Sequence, residues 1–369
     1  MRRIPIDMLR PGMKVGLSIY NNRGDILVQK DVVLTRFYIE RLKKHNVPAL
    51  YIIDDFLPEM GISDMISEKT RVKAIENVRN TLTRLSNGMS FEAGDENRLK
   101  SDIEEIIQQI LKNKDMIYDM IDIRCTDESL FGHCVNVAVL SLITGVSMGM
   151  GREELRVLGM GAILHDIGKA LIPKQILNKP GKLTAAEFEQ IKRHSEYGFD
   201  ILNNKKQRIH HLSKLILKQH HERFNGCGYP EGLKGKDIHM FSQIVGISDM
   251  YDAMTTCKAY RDAIPVNKVY KMLASCGGYL FDYDILTNFL RNIAAYPKGS
   301  LVVLKSGEIG IIMETRVGFP LLPKIKIIAD KNGRPVERCI VEMSKDPSIS
   351  IVKVLNNNEI EKLKKTIQK

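Results

Sequence analysis

Residues 118–292 keep a helical hydrophobic period almost throughout, and five of the chain's nine histidines, His133, His165, His194, His220 and His221, fall inside this region. A chain that repeats imidazoles along helices must either solvate them or bring them together. In "LTAAEFEQIKRHSEYGFDIL", Thr184 and Glu187 have capping-box spacing, after the turn Pro180-Gly181. Phe188, Ile191, Gly198, Ile201 and Leu202 share one face at about 100° per residue, which is expected to point inward with His194 between them. His165 follows Leu158 by seven residues and projects the same way. Asp249 and Asp252, in "ISDMYDAMT", are three apart and share a helix face.

Each feature alone has a plain structural explanation. A lone histidine on an apolar face is usually a satisfied core residue, and an aspartate at a helix end is usually a cap. His210 and His211 serve as a control. They are adjacent too, but lie about 15 Å along the same helix from His220 and His221. They cannot share a metal with that pair and read as solvated or structural. What the plain explanations account for poorly is five histidines and at least two aspartates in one helical region, each with a desolvation cost unless paired. A metal satisfies them together, and neutral imidazole with carboxylate suits Fe, Mn, Zn, Ni or Co. So many ligands exceed one open catalytic site and point to two metals bridged by a carboxylate. Two metals roughly 3.5–4 Å apart suit a phosphate ester undergoing in-line attack.

The rest of the chain is ordinary. Its 369 residues suggest two or three domains, with 44% apolar and 27% charged residues. Six cysteines form no CxxC pair, which favours a reducing cytoplasm. No signal peptide is read after Met1-Arg2-Arg3. The apolar run Cys134–Gly151 contains Asn136, Ser141, Thr144 and Ser147, and reads as a buried helix, not a membrane span. The net charge is +11, and residues 297–369 hold 14 Lys/Arg against 8 Asp/Glu, so +6 of it. No arginine-rich or aromatic-interleaved basic motif accompanies this charge, so no nucleic-acid polymer is expected as partner.

Residues 1–117 read as an α+β and helical region of unknown role, with sensing as one open reading; strands flank a hairpin turn at Asn21-Asn22-Arg23-Gly24, and "ALYII" is a buried strand. The intervening helix, "TRFYIERLKKHNV", is expected to turn Phe37 and Leu42, with Tyr38 or Ile39, to a core and to stop at Pro48. From about residue 68 to 117 the pattern is helical, broken by "SNGMSFEAGDEN". Residues 297–369 switch to strand patterns and end in a basic tail, "NNNEIEKLKKTIQK", a polar helix or frayed end; a small β-barrel or half-barrel fits. The fold class is therefore multidomain and mainly α: a central helical bundle over 118–292, a small α+β N-terminal region and a small barrel-like C-terminal region.

The stretch "LKQHHERFNGCGYPEGL" adds a stiff turn beside two histidines. With "HDIGK", "KRHSEYG" and "DMYDAMTTCKAYR" it resembles the HD-GYP family of metal-dependent phosphodiesterases, within the helical HD superfamily. The resemblance covers roughly residues 118–292. It implies hydrolysis of cyclic di-GMP to linear pGpG, or onward to GMP, with two divalent ions, Fe or Mn before Zn, Ni or Co. It implies His133, His165, Asp166, His194, His220, His221 and Asp249 as metal ligands, with Asp166 bridging. Lys169 would stabilise charge at the scissile phosphate, and Asp252 would support the ligands. Gly228, Tyr229 and Pro230 would shape the substrate edge of the site. Lys258 and Arg261 stand where the family has two phosphate-contacting arginines. Three departures stand out. Asn225 replaces an aspartate in a turn both residues support, and Lys258 keeps charge without the arginine fork. Ser129 stands where three-metal members carry a glutamate, with Glu128 about 100° away around the helix. The rival reading is a catalytically weak cyclic-dinucleotide sensor or interaction module. A homodimer, and signalling partners docking on the loop around Tyr229, stay open.

Overall fold

The computed structural model describes residues 2–16, 18–20, 26–45, 47, 49–53, 65–119, 129–177, 179, 181–203, 208–256, 263–336 and 339–367. They divide into two compact units, one built from residues 1–64, 115–127 and 291–369, the other from 65–114 and 128–290.

The first unit begins with strands β1 (Arg2–Pro5), β2 (Lys14–Val15), β3 (Ile19–Tyr20) and β4 (Ile26–Val28), helix α1 (Arg36–Lys44) and strand β5 (Ala49–Ile53). The order β1-β5-β2 places "ALYII" in the centre of a three-stranded antiparallel sheet, which is why Leu50 and Ile52 are buried. Strands β3 and β4 pair antiparallel, Ile19 opposite Val28, as the hairpin pattern requires; the turn between them, like Pro48, lies outside the described residues. Thr35 caps α1 by accepting from the Tyr38 N–H. Ile39 and Leu42 face the core of this segment, but Phe37 is 68% exposed. At 100° per residue Phe37 lies some 200° from Ile39, so the two cannot share a narrow apolar stripe.

The helical unit holds α2 (Glu68–Ser86), α3 (Ala93–Lys112), α4 (Ser129–Ser147), α5 (Arg152–Leu164), the short α6 (Lys174–Leu177), α7 (Ala185–Lys192), α8 (His194–Leu202), α9 (His211–Gln219), α10 (Met240–Thr255), α11 (Val266–Ala274) and α12 (Tyr283–Arg291). Helix α4 packs against α5 and α10, and α5 packs in turn against α9. Among the described residues α4 is the helix long and apolar enough to cross a membrane, over Leu130–Ser147, and 61% of that stretch is buried in the unit. Helices α2 and α3, which the sequence groups with the N-terminal region, pack on α4 and α5 instead. Their apolar stripes, Ala74, Val78 and Leu82 on α2 and Leu99, Ile103, Ile106 and Ile110 on α3, need a partner surface, and the bundle supplies it.

The capping box forms as spaced: Thr184 Oγ1 accepts from Glu187 N, and Glu187 Oε2 from Thr184 N. The helix then breaks at Arg193 instead of running through. The break ends the 100° phase, so Phe188, expected inside, is 46% exposed while Gly198 and Leu202 stay buried.

The chain returns to the first unit with β6 (Leu301–Leu304), β7 (Ile309–Glu314), β8 (Lys324–Ala329), β9 (Ile340–Glu342), β10 (Ile351–Val354) and α13 (Asn357–Ile367). The strands form one antiparallel sheet in the order β10-β6-β7-β8-β9, with β10 and β9 as its two edges, so among the described residues the sheet is open and no closed barrel is found. The reason lies in the tail. Helix α13 is amphipathic, and its Ile360 joins Leu301, Ile311 and Ile328 in a core that the sheet would otherwise close by curling on itself.

Candidate metal centre

The functional side chains come from the ends and inner faces of five segments. His133 sits in the second turn of α4, His165 closes α5, and Asp166 follows it at the start of a 3₁₀ turn, Ile167–Leu171. His194 opens α8, His220 and His221 follow α9, and Asp249 and Asp252 lie on α10. Glycine decides how close the 3₁₀ turn and α8 come: a Cβ on Gly168 would lie 1.9 Å from the His194 carbonyl oxygen. Only glycine lets the "HDIG" turn lie against the start of α8, and that contact sets Asp166 beside His194.

Ligand atoms gather in two groups, each within 4.8 Å: Asp166 with His194, His220 and His221, and His133 with His165 and Asp249. Asp166 lies between them. Its Oδ1 is 3.4 Å from His194 Nε2, and its Oδ2 is 3.4 Å from His165 Nε2 and 3.7 Å from His133 Nε2. Asp249 links His133 (Nε2 to Oδ1, 3.1 Å) with His221 (Nδ1 to Oδ2, 3.8 Å). His165, Asp166, His194 and His220 are buried. His210 and His211 are exposed, and His210 caps α9.

The ring orientations suit a metal. Nδ1 of His165, His194 and His220 donates to the carbonyls of Ala162, Ile191 and Leu217 at 2.8, 2.6 and 2.9 Å. A carbonyl only accepts, so each ring keeps its Nε2 lone pair for the centre. His194 and His220 then face each other through Nε2 atoms 3.3 Å apart, two lone pairs that repel unless a cation lies between. His165 Nε2 and Asp166 Oδ1 are buried without a hydrogen-bond partner. This donor set, with orphaned atoms converging, fits divalent ions.

Electrostatics agree. Burial works to raise the Asp166 carboxyl, but Lys169, His165 and His194 hold it well below the usual range. Asp249 is likewise held low, burial being outweighed by His133 and His221. Burial pushes His194 down to about 4 and His220 and His221 well below the ordinary imidazole value, so all three are neutral, as ligands must be. For His133 burial also acts downward, yet Asp249 and Asp252 push it up to about 10. A proton and a divalent ion answer the same pair of carboxylates there, and the ion would displace the proton. Lys169 Nζ donates to Asp166 Oδ2 at 2.5 Å; burial acts to lower it, Asp166 and Asp249 raise it, and it stays an ammonium.

The "GYP" loop is fixed by a residue the sequence reading passed over. Glu222 is buried, and its carboxylate accepts from the backbone N–H of Glu231, Gly232 and Leu233 at 2.7, 3.2 and 3.0 Å. Its position directly after His220-His221 was the available signal. Asn225 Oδ1 accepts from Cys227 N, the turn expected of it. A Cβ on Gly228 would lie 2.4 Å from Arg223 N, so the loop folds back on the backbone after the histidines. Tyr229 consequently stacks on His221, centroids 4.6 Å apart, with Lys192 Nζ 5.6 Å from the Tyr229 ring centroid. The peptide bond to Pro230 is cis. Asp252 accepts from His133 Nδ1 at 2.7 Å. Lys258, Arg261 and Glu128 lie outside the described residues.

Comparison with known proteins agrees with this geometry. The HD domain model matches residues 115–285, and a model of the KOW domain associated with HD domain matches residues 301–363. The chain is 30% identical over 244 residues, 66% of its length and 58% of the relative's, to a Pseudomonas aeruginosa protein named cyclic di-GMP phosphodiesterase. It is 32% identical over 181 residues, 49% of its length and 35% of the relative's, to 3′3′-cGAMP-specific phosphodiesterase 2 of Vibrio cholerae. It thus spans 58% and 35% of these two relatives' own lengths. A solved HDG"Y"P protein from Bdellovibrio bacteriovorus shares the fold at a TM-score of 0.50 and 17% identity, covering 78% of this chain and 98% of that one. The chain therefore matches an HD domain over residues 115–285, followed by a match to the KOW domain associated with HD domain over residues 301–363.

Proposed function

We propose that this chain is a metal-dependent phosphodiesterase that hydrolyses cyclic di-GMP to linear pGpG and so lowers a bacterial second messenger. The observation that carries the reading is the convergence of His133, His165, His194, His220, His221, Asp166 and Asp249 in two adjoining groups, with Asp166 between them. These seven would hold two divalent ions, Fe or Mn, with Asp166 bridging. When bound, the ions supply Lewis-acid neutralisation of the phosphate and a lowered pKa for water.

The chain's own groups do the rest. Lys169, beside Asp166, is within reach of a phosphate oxygen at the centre and stabilises the charge that develops as the 3′-oxygen leaves. Asp252 holds the His133 ring in place. Tyr229, Gly228 and Pro230 shape the rim, and Lys258 and Arg261 meet the substrate phosphates. The proposed catalytic domain spans 118–292, with α2 and α3 from the preceding 1–117 region packed on its helices, and a β domain follows over 297–369.

A second substrate, 3′3′-cGAMP, is favoured by the relative named for it. Both cyclic dinucleotides present the same phosphodiester to the centre, so base contacts decide between them. The test is anaerobic purification with metal analysis, then product identification from each dinucleotide. Faster turnover of cyclic di-GMP to pGpG is expected. Faster cleavage of 3′3′-cGAMP would reassign the substrate, and a fully metal-loaded chain that binds either without cleaving it would make the protein a sensor.

A further inference from the structure

Asn136 and Arg71 have no part in the reading above, and Arg71 lies outside the residues the HD domain model matches. Arg71, on α2, is nevertheless buried, and its Nη1 donates to Asn136 Oδ1 at 2.7 Å. Asn136 Nδ2 donates to Asp252 Oδ1 at 3.0 Å, and Asp252 Oδ2 accepts from His133 Nδ1 at 2.7 Å. We infer that Arg71 and Asn136 are positioning residues for the ligand His133, acting through Asp252 along this one chain of hydrogen bonds.

The chain has a direction, and Arg71 sets it. A guanidinium carries donors only, so the atom Asn136 turns to Arg71 must be its carbonyl oxygen. The amide NH₂ is then left to face Asp252. Without Arg71 the amide is free to flip and present its oxygen to a carboxylate, which is repulsive. Asp252, held at Oδ1, offers Oδ2 to His133 and keeps the proton on Nδ1. His133 Nε2 is thereby left to the centre, where it lies 3.1 Å from Asp249 Oδ1. A residue of α2, 62 positions before the ligand (133 − 71), thus governs its tautomer. Partners of this kind typically contribute 10–100-fold to metal affinity.

The inference rests on the metal reading, and its test needs no substrate. Zinc affinity of the full chain is measured by competition with a chromophoric chelator, for wild type, Arg71→Met, Arg71→Lys, Asn136→Ala and the Arg71→Met/Asn136→Ala pair. Roughly 10–100-fold weaker binding is expected at one of the ions in Arg71→Met and Asn136→Ala. Arg71→Lys, still donor-only, should restore most of it, and the pair should lose no more than its worse member because the chain is already broken. Wild-type affinity in folded Asn136→Ala overturns the inference, as do additive losses in the pair or equal losses with Lys and Met. Should Arg71→Met not fold, Arg71→Lys and Asn136→Ala decide it alone. A wild type that binds zinc but cleaves no cyclic dinucleotide sinks only the proposed activity; one that binds no zinc sinks the metal reading and this inference together.

Discussion

Lys169 separates binding from chemistry most cleanly. Its ammonium touches Asp166 but offers no lone pair to a metal while protonated, and Asp166 and Asp249 keep it so against the opposing effect of burial. Its contribution belongs to the charge of the transition state. Lys169→Ala is therefore expected to lower kcat about 10²–10³-fold while metal content, read by mass spectrometry, stays that of wild type. Loss of metal with normal turnover at saturating metal would show the role to be misassigned. In the other unit, Asp119 Oδ2 accepts from Lys298 N, yet burial pushes the carboxyl up to about 6. A raised carboxyl favours the protonated folded state, so the penalty is present above about pH 6 and gone below the unfolded value near 3.8. Relative to wild type, Asp119→Asn should gain on the order of 3 kcal/mol in stability between pH 4 and pH 7. Denaturant titrations at both pH values check this, and a difference independent of pH would refute it.

At the scale of elements, the loop from His220 to Leu233 is built around one carboxylate. Three backbone N–H groups converge on buried Glu222, and Gly228 lets the loop fold back so that Tyr229 stacks on His221. Glu222→Ala leaves those donors without their acceptor, a loss of roughly 2–4 kcal/mol. Amide hydrogen exchange should quicken at Glu231, Gly232 and Leu233 and remain slow in α4. Unaltered exchange at those three amides would mean the loop is held by something else. The loop's stiffness was readable from Gly226, Gly228 and Pro230, since those residues restrict backbone shape wherever they stand. Its anchor was not, because a glutamate's burial depends on what folds over it. The same limit applies to Phe188: its phase was readable, but the break at Arg193 that exposes it was not.

For the whole molecule, the centre ties together α4, the end of α5, α8, the end of α9 and α10, which are far apart in sequence. Ions held there act as cross-links of the bundle, and any ligand bound only by the folded state stabilises it. At 100 times the dissociation constant each ion adds about 2.7 kcal/mol. Chelator-treated protein should unfold at a lower temperature by calorimetry, and restored Mn²⁺ should reverse the shift. An unchanged transition would argue against a site inside the bundle. Two ions per chain are expected, because Ser129 stands where a third would need a carboxylate anchor, and pGpG should accumulate before GMP. Three ions would overturn the argument from Ser129; two ions with rapid GMP formation would overturn only the product.

Periodicity read from the sequence alone marked residues 118–292 as mainly helical, and residue chemistry led to the expectation that their inward histidines and aspartates meet around metal. Both follow from local rules: side-chain direction repeats every 3.6 residues, and buried polar groups need partners. The open β sheet was not legible, because closure depends on what covers the sheet, and here Ile360 of α13 does. Nor was the place of α2. Its apolar stripe marks a face to be buried but not the surface that buries it, and packing against α4 is what brings Arg71 to Asn136. Hydrogen bonds of 2.7–3.0 Å between residues as distant as Arg71 and Asn136, or Asn136 and Asp252, come from tertiary packing, which no local pattern encodes.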